Sequence, residues 1–464
     1  MGKFSTYRYL ELKDDTSNQH INVRSRTVKQ PRRLKKVFIF LIVLALCVTY
    51  FLGLFAGQTQ WFDGLVKSLG YESVYHHAVI IDAGSSGSRV IAYKFRVPFT
   101  VFGQANLDLV DEFFEQSKPG LSSYADDPDK GAQTIVSLIK RAEAFTPPDK
   151  RRVTPIIVRA TAGLRLLPHD KAQGLIDAVA RAIAQMGYDI GPNSVEIMDG
   201  ADEGIFIWYT VNLLHYLMGG ETMAALDLGG ASTQITYQLR EDESSQFPAA
   251  DQYVVPAGGE NITLYTHSYL KLGLLAARFG VFKWEAVENN NYNENTTEFT
   301  SVCVDPIVQR ESWTYANKQY IISGAPRPEG MKRAAVYERC HALVRRYALA
   351  TLDWEPKRPP RGAVAAMSYF YDVAADAGLI DVMRGGQVSV SAYRSSALRA
   401  CSASNVEQPW ACVDLVYVVA LLQDAYKMRD QEPVSLFKKV NGHEVSWALG
   451  LAYTHVMNRI SNTQ

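Results

Sequence analysis

The segment AVIIDAGSSGSRVIAYKF, Ala78 to Phe95, decides how the rest of the chain is read. The apolar run Ala78–Ile81 leads into Asp82, glycines and serines follow from Gly84 to Ser88, and a strand-like run resumes at Val90. A second segment, AALDLGGASTQITYQL from Ala224 to Leu239, repeats the arrangement around Asp227. The two aspartates stand 145 positions apart, about one domain's length. Either loop alone reads as an ordinary tight turn, which Asp-x-Gly often makes. Two of them at this spacing predict a duplicated fold with a site between its halves.

The surrounding pattern agrees. DKGAQTIVSLIKRAEAF (Asp129–Phe145) reads as a helix and TPIIVRATAG as a strand running into a loop. HDKAQGLIDAVARAIAQMG follows, with Leu175, Val179, Ile183 and Met186 on one face. VEIM then reads as a short strand and ADEGIFIWYTVNLLHYL as a long apolar helix. This alternation predicts an α/β protein on mixed sheets. At 464 residues the chain exceeds one ordinary core, so two lobes are expected. Its 48 basic and 48 acidic residues cancel, which gives no support to a nucleic-acid partner. The Asn- and Glu-rich stretch Glu285–Thr300 reads as an exposed excursion.

Val37 to Ala56 is 20 residues without a charge, enough to span roughly 30 Å of hydrocarbon as a helix. Seven basic residues from Arg24 to Lys36 precede it with no acidic residue between. That asymmetry keeps the N-terminus cytosolic and predicts a type II signal anchor. A cleaved signal peptide is the rival, because Ala56 and Gly57 follow the apolar run. The expected division is a cytosolic tail 1–36, the span 37–56, a stalk 57–74, lobe I over 75–223 completed by a C-terminal helix near 446–464, and lobe II over 224–445. Beyond the span lie Cys303, Cys340, Cys401 and Cys412, an even number without zinc-site spacing. Three pairings are open; the sequential one, Cys303 with Cys340 and Cys401 with Cys412, is the expectation. Sequons at Asn261 and Asn295 fit a glycosylated lumenal surface.

Gly- and Ser-rich turns after a strand expose backbone N–H groups, which form an anion nest suited to phosphate. An aspartate at a strand end holds a divalent cation directly or through water. Two such turns face to face would clasp a polyphosphate and its metal. Between them lie Arg159–Arg165, a strand-ending loop with Thr161, and Met198–Gly204, which opens the apolar helix. Asp199 and Asp202 there are explained by the helix dipole alone. Glu203, if its loop faces the cleft, is a base for attacking water.

These segments, IIDAGSSGSR, RATAGLRLLP, IMDGADEGIFIWYTVN, LDLGGASTQITY and MSYFYDVAADAGLID (Met367–Asp381), resemble in order the apyrase conserved regions of the nucleoside triphosphate diphosphohydrolase family. The resemblance implies an actin-like fold of two RNase H-like lobes. It also implies hydrolysis of nucleoside phosphates by direct water attack with Ca²⁺ or Mg²⁺. Position by position, Glu203 matches the family's base, while Ser232 and Gln234 match the groups holding the water. Asp82 and Asp227 match the carboxylates that organise the metal through its water shell. Ser85, Ser86, Gly87 and Ser88 match the first phosphate loop, Gly229, Gly230 and Ala231 the second, and Thr161 and Ala162 the cleft floor.

Tyr371 best matches the family's base-contacting aromatic, with Tyr369 and Phe370 beside it; Tyr417 is a second candidate, equally readable as core. Trp208 and Trp447 are expected in the core, and His76, His77 and His169 show no ligand spacing. Lys271, in SYLKLG, stands where many relatives have glycine. The wording of the first loop, the single N-terminal span, and a C-terminal SWALGLAYTHVMNRI too short and polar to cross a bilayer resemble the secretory-pathway branch. That branch prefers UDP, GDP or IDP. The resulting expectation is a Golgi or ER nucleoside diphosphatase serving glycosylation, with a secreted form if the stalk is cut. The rivals are a broad-specificity apyrase, a sugar kinase or exopolyphosphatase, and an actin-like nucleotide-binding protein without hydrolytic role.

Overall fold

The computed structural model describes residues 32–55, 74–97, 107–332, 334–356, 358–403 and 406–463. Contacts divide the chain into two units, Met1–Ser73 and Val74–Gln464. In the first, helix α1 covers Arg32–Phe55, and its described side chains, residues 36–50, are almost all exposed. Among the described residues no helix is long and apolar enough to cross a membrane. The end of the expected span, like the tail and the stalk up to residue 73, lies outside them.

The second unit carries two sheets of one design. Strands β1 (Val74–Ala83), β2 (Ser88–Val97), β3 (Asp108–Ser117), β4 (Ile156–Ala160) and β5 (Val195–Ile197) order as β3-β2-β1-β4-β5. In the larger sheet the strands concerned are β6 (Ala224–Leu228), β7 (Ser232–Gln238), β8 (Gln252–Ala257), β9 (Glu260–Leu270), β13 (Val364–Ser368), β14 (Gly386–Ser389) and β15 (Pro433–Leu436), ordered β14-β15-β13-β6-β7-β9-β8. Its β9-β7-β6-β13-β15 stretch matches the smaller sheet in pairing sense, antiparallel through the hairpins and parallel beyond. A third, small sheet is formed by β10 (Glu298–Ser301), β11 (Glu311–Tyr315) and β12 (Lys318–Gly324).

Helices α2 (Pro128–Ala142), α3 (Ala162–Arg165) and α4 (His169–Ile183) belong to the first half. The observed α2 starts where Asp127 caps it by accepting from Lys130 N at 3.2 Å, with Pro128 at the first helical position. Helix α5 (Gly200–Leu214) is apolar nearly all round, which requires burial on all sides. It packs in one core with residues of β1, β9, β13 and the last helix of the chain, whose Trp447, Ala448 and Leu451 join Trp208 there. Gly204 permits the approach: a Cβ there would lie 2.4 Å from Thr266 Oγ1 and 2.6 Å from Thr236 Oγ1.

The excursion expected over Glu285–Thr300 is narrower than the composition suggested. Glu285 lies inside helix α6 (Leu274–Glu288), is buried, and accepts from Val302 N at 3.0 Å. Phe299 is also core, as an inward residue of β10. Both disulfides take the expected pairing: Cys303 joins Cys340 of helix α7 (Ala334–Thr351), and Cys401 joins Cys412. Asn261 and Asn295 are exposed.

Lys271 has φ +73°, the left-handed region that glycine adopts freely. Its N–H donates to Ala231 O at 2.8 Å, so the strained residue supports the second glycine loop. Lys271→Gly is expected to raise stability by about 1 kcal/mol. Chemical denaturation measures this, and a lowered midpoint would mean that the lysine side chain contributes more than its backbone costs.

Candidate active site

Two hairpins of like register frame the site. Asp82 lies near the end of β1 opposite Arg89 of β2, and Asp227 lies near the end of β6 opposite Gln234 of β7. In each, the aspartate faces the residue seven positions on. Both aspartates are buried, and burial pushes both carboxyls upward. Arg89 Nη1 donates to Asp82 Oδ2 at 2.7 Å and opposes the rise. Asp227 is helped in the same sense by a hydrogen bond from Ser368, but its Oδ1 has no hydrogen-bond partner.

Small residues let the loops close on one another. A Cβ on Gly230 would lie 2.6 Å from Ser85 Oγ, so the second loop touches the first. A Cβ on Gly163 would lie 2.9 Å from Ser85 Cα, and one on Gly120 2.3 Å from Gly84 O. Ser85 and Ser86 are half-buried, while Gly87, Ser88, Gly230 and Ala231 are buried. Thr161 and Ala162, both buried, form the start of α3, and Thr161 N–H donates to Ala83 O at 3.3 Å. The sequence-derived phosphate residues are therefore brought together.

Glu203 sits in the first turn of α5, whose start is capped by Asp199 accepting from Ala201 N at 2.8 Å. This accounts for Asp199 as a cap. Burial raises the Glu203 carboxyl to about 8, against the pull of Arg165; the Asp227 and Asp82 charges add to the rise. Gln234 Nε2 donates to Glu203 Oε2 at 3.1 Å, to Ser232 Oγ at 2.9 Å and to Ser268 Oγ at 2.8 Å. Gln234 Oε1 is buried without a partner. Glu203, Ser232 and Gln234 thus form one connected group, with an acceptor left open for a water proton.

The aromatic assignments change. Tyr371 is buried and donates its hydroxyl to Val382 O at 2.7 Å. Tyr417 is buried and its hydroxyl donates to Leu272 O. Both are core residues whose rings are packed and whose polar ends are spoken for, so neither offers a stacking face. Tyr369, half-buried at the start of α8 (Tyr369–Asp376), instead bonds Ser86 and lies within the field of Arg89 and Arg278. A cavity of about 640 Å³ is lined by residues that include Arg278, Asp376, Arg399, Trp410 and Asp414. Arg278 grips Asp414 through Nε at 2.9 Å and Nη2 at 2.5 Å, 5.5 Å from the Trp410 ring centroid. Sequence reasoning missed Trp410, Ser268 and Arg165. Trp410 sits in a loop with no motif, and Ser268 is one polar residue in a long strand.

Among the described residues no group of three or more His, Cys, Asp or Glu stands close enough to hold a metal by itself. What the fold and the site define is a phosphate-handling class: two matched hairpins, touching loops and a buried carboxylate beside an open acceptor. The chain belongs to the GDA1/CD39 (nucleoside phosphatase) family, whose profile matches residues 70–352 and 387–464. It is 36% identical to the human nucleoside diphosphate phosphatase ENTPD5 over 435 residues, covering 90% of this chain and 96% of the relative. It is 33% identical to the Caenorhabditis elegans nucleoside-diphosphatase uda-1 over 396 residues, covering 81% of each. In fold it resembles the crystal structure of nucleoside triphosphate hydrolases from Neospora caninum, with TM-score 0.58 at 14% identity, covering 88% of this chain and 96% of that one.

Proposed function

We propose that this enzyme hydrolyses nucleoside diphosphates to monophosphate and phosphate by direct attack of water. The observation that carries this reading is the Glu203–Gln234–Ser232 group set beside two touching glycine loops. The named relatives, a nucleoside diphosphate phosphatase and a nucleoside-diphosphatase, support the choice of diphosphate. The matched sheets support the actin-like duplication, with lobe I over 75–223 plus the last helix and lobe II over 224–445.

In the reaction, the loops 85–88 and 229–231 hold the terminal phosphoryl group through backbone N–H groups. Ser232 and Gln234 hold the water, Glu203 takes its proton as the new P–O bond forms, and the nucleoside monophosphate leaves with the bridging oxygen. The residues fit a divalent cation, Ca²⁺ or Mg²⁺. Asp227 has an unpartnered buried oxygen and Asp82 is shielded by one arginine. With only two carboxylates, water and phosphate oxygens would complete the shell. When bound, the cation neutralises charge on the phosphate oxygens. The 640 Å³ cavity suits the nucleoside in size, with Trp410 in place of the buried Tyr371 and Tyr417.

Paired cysteines, exposed sequons and the basic tract Arg24–Lys36 before the apolar run support a lumenal catalytic unit of a type II Golgi or ER protein. There it would clear the UDP or GDP left by glycosyl transfer, and a cut in the stalk would release it. The test is phosphate release by the full chain from UDP, GDP, ADP, UTP and ATP, with Mg²⁺, Ca²⁺ or chelator. Metal-dependent hydrolysis of UDP or GDP is expected. Faster hydrolysis of triphosphates would move the protein to the broad-specificity apyrases, and silence on all five would leave a binding site.

A further inference from the structure

We propose that Arg165 is a positioning residue: it holds the Glu203 carboxylate and the Ser232 hydroxyl in register, and keeps that carboxylate ready to accept a proton. The proposal rests on the hydrolytic reading above and assigns Arg165 no contact with substrate. Arg165 Nη2 donates to Glu203 Oε2 at 2.6 Å and lies 3.4 Å from Ser232 Oγ. One guanidinium corner therefore touches both the proposed base and a group proposed to hold the water.

The surroundings are built around that contact. Arg165 ends the four-residue α3, whose first residues are on the cleft floor, so its backbone is fixed at the site. Gly200 leaves the room: a Cβ there would lie 2.4 Å from Arg165 Nη1 and 2.3 Å from Ser268 Oγ. Here Nε is buried with no partner while Nη2 stays on the carboxylate.

The groups that face Glu203 come from several elements. Helix α3 brings the Arg165 cation and β7 the neutral Gln234, which in turn donates to the neutral Ser232 and to Ser268 of β9. Asp82 and Asp227, from the two hairpins, act on it as like charges and oppose ionisation. Without the guanidinium the carboxylate keeps its opponents and loses its cation. Its proton then comes off at higher pH, since an opposite charge this close shifts a carboxyl by about 1–3 pH units.

The test compares pH–rate profiles of the full chain, Arg165→Gln and Arg165→Lys on UDP and GDP with Mg²⁺, each checked for an unaltered melting curve. In Arg165→Gln the acidic limb of kcat/KM is expected to move up by at least about one unit, costing about tenfold at a pH below the limb. KM should change little, and Arg165→Lys should return part of the shift because the charge is retained. A raised KM with the limb unmoved would overturn the proposal and make Arg165 a phosphate ligand. An unchanged profile in a folded variant would also overturn it. If the unsubstituted chain hydrolyses neither nucleotide, the nucleoside diphosphatase reading fails and this inference with it.

Discussion

Glu203→Gln is expected to lower kcat by about a thousandfold while leaving KM and the melting curve close to those of the parent chain, because a positioned general base contributes roughly 10²–10⁴-fold. Glutamine keeps the shape of the side chain and can still meet Gln234, but it cannot take a proton from water. The pH dependence adds a second readout. A base works only when unprotonated, so activity should rise as pH passes through the Glu203 pKa, raised to about 8 by burial before any cation or substrate is bound. A bound divalent cation moves that limb downward. The residual activity of the variant should lose the limb altogether. Steady-state kinetics from pH 5 to pH 9 measure both effects, and a variant with parental kcat would remove Glu203 from the mechanism.

Gly230→Ala should cost about a hundredfold in kcat/KM without unfolding the protein. The added methyl would stand 2.6 Å from Ser85 Oγ, inside any normal contact, and Ser85 belongs to the first glycine loop. Either the Ser85 hydroxyl leaves its place or a loop gives way, and a misplacement of about 1 Å at a reacting centre is worth about that loss. The cause can be isolated: Ser85→Gly in the same chain removes the opposing atom and should restore much of the activity. Failure of the double variant to recover would mean that glycine at 230 is needed for its backbone rather than for its lack of bulk.

Much of this site is legible in the amino-acid sequence, and the reason is local. Strand, aspartate, glycine loop and strand are adjacent in the chain, so Asp82, Ser85, Asp227 and Gly230 announce themselves twice. Glu203 is legible because it opens an apolar helix directly after a strand. The aromatic contacts are not, because Tyr369, Phe370 and Tyr371 are consecutive and a sequence does not give the phase of the helix they begin. That phase is set by Ser368, which turns the chain at φ +57° and leaves Tyr369, not Tyr371, toward Ser86. Arg165 is hidden for another reason. Its importance lies in a carboxylate 38 positions away, and nothing in RATAGLRLLP separates a paired arginine from a solvated one.

The two hairpins also bear on how a duplicated frame acquires direction. Their registers are the same, while their loop sequences differ, and the residue opposite the aspartate is arginine in one and glutamine in the other. A frame with twofold equivalence has no preferred end for an incoming water and a departing nucleotide. Changing one ladder position per half breaks that equivalence: a cation marks one side and an uncharged amide marks the other. On a repeated scaffold, Arg89 and Gln234 thus add to the front and back that Glu203 and Arg165 also give the site.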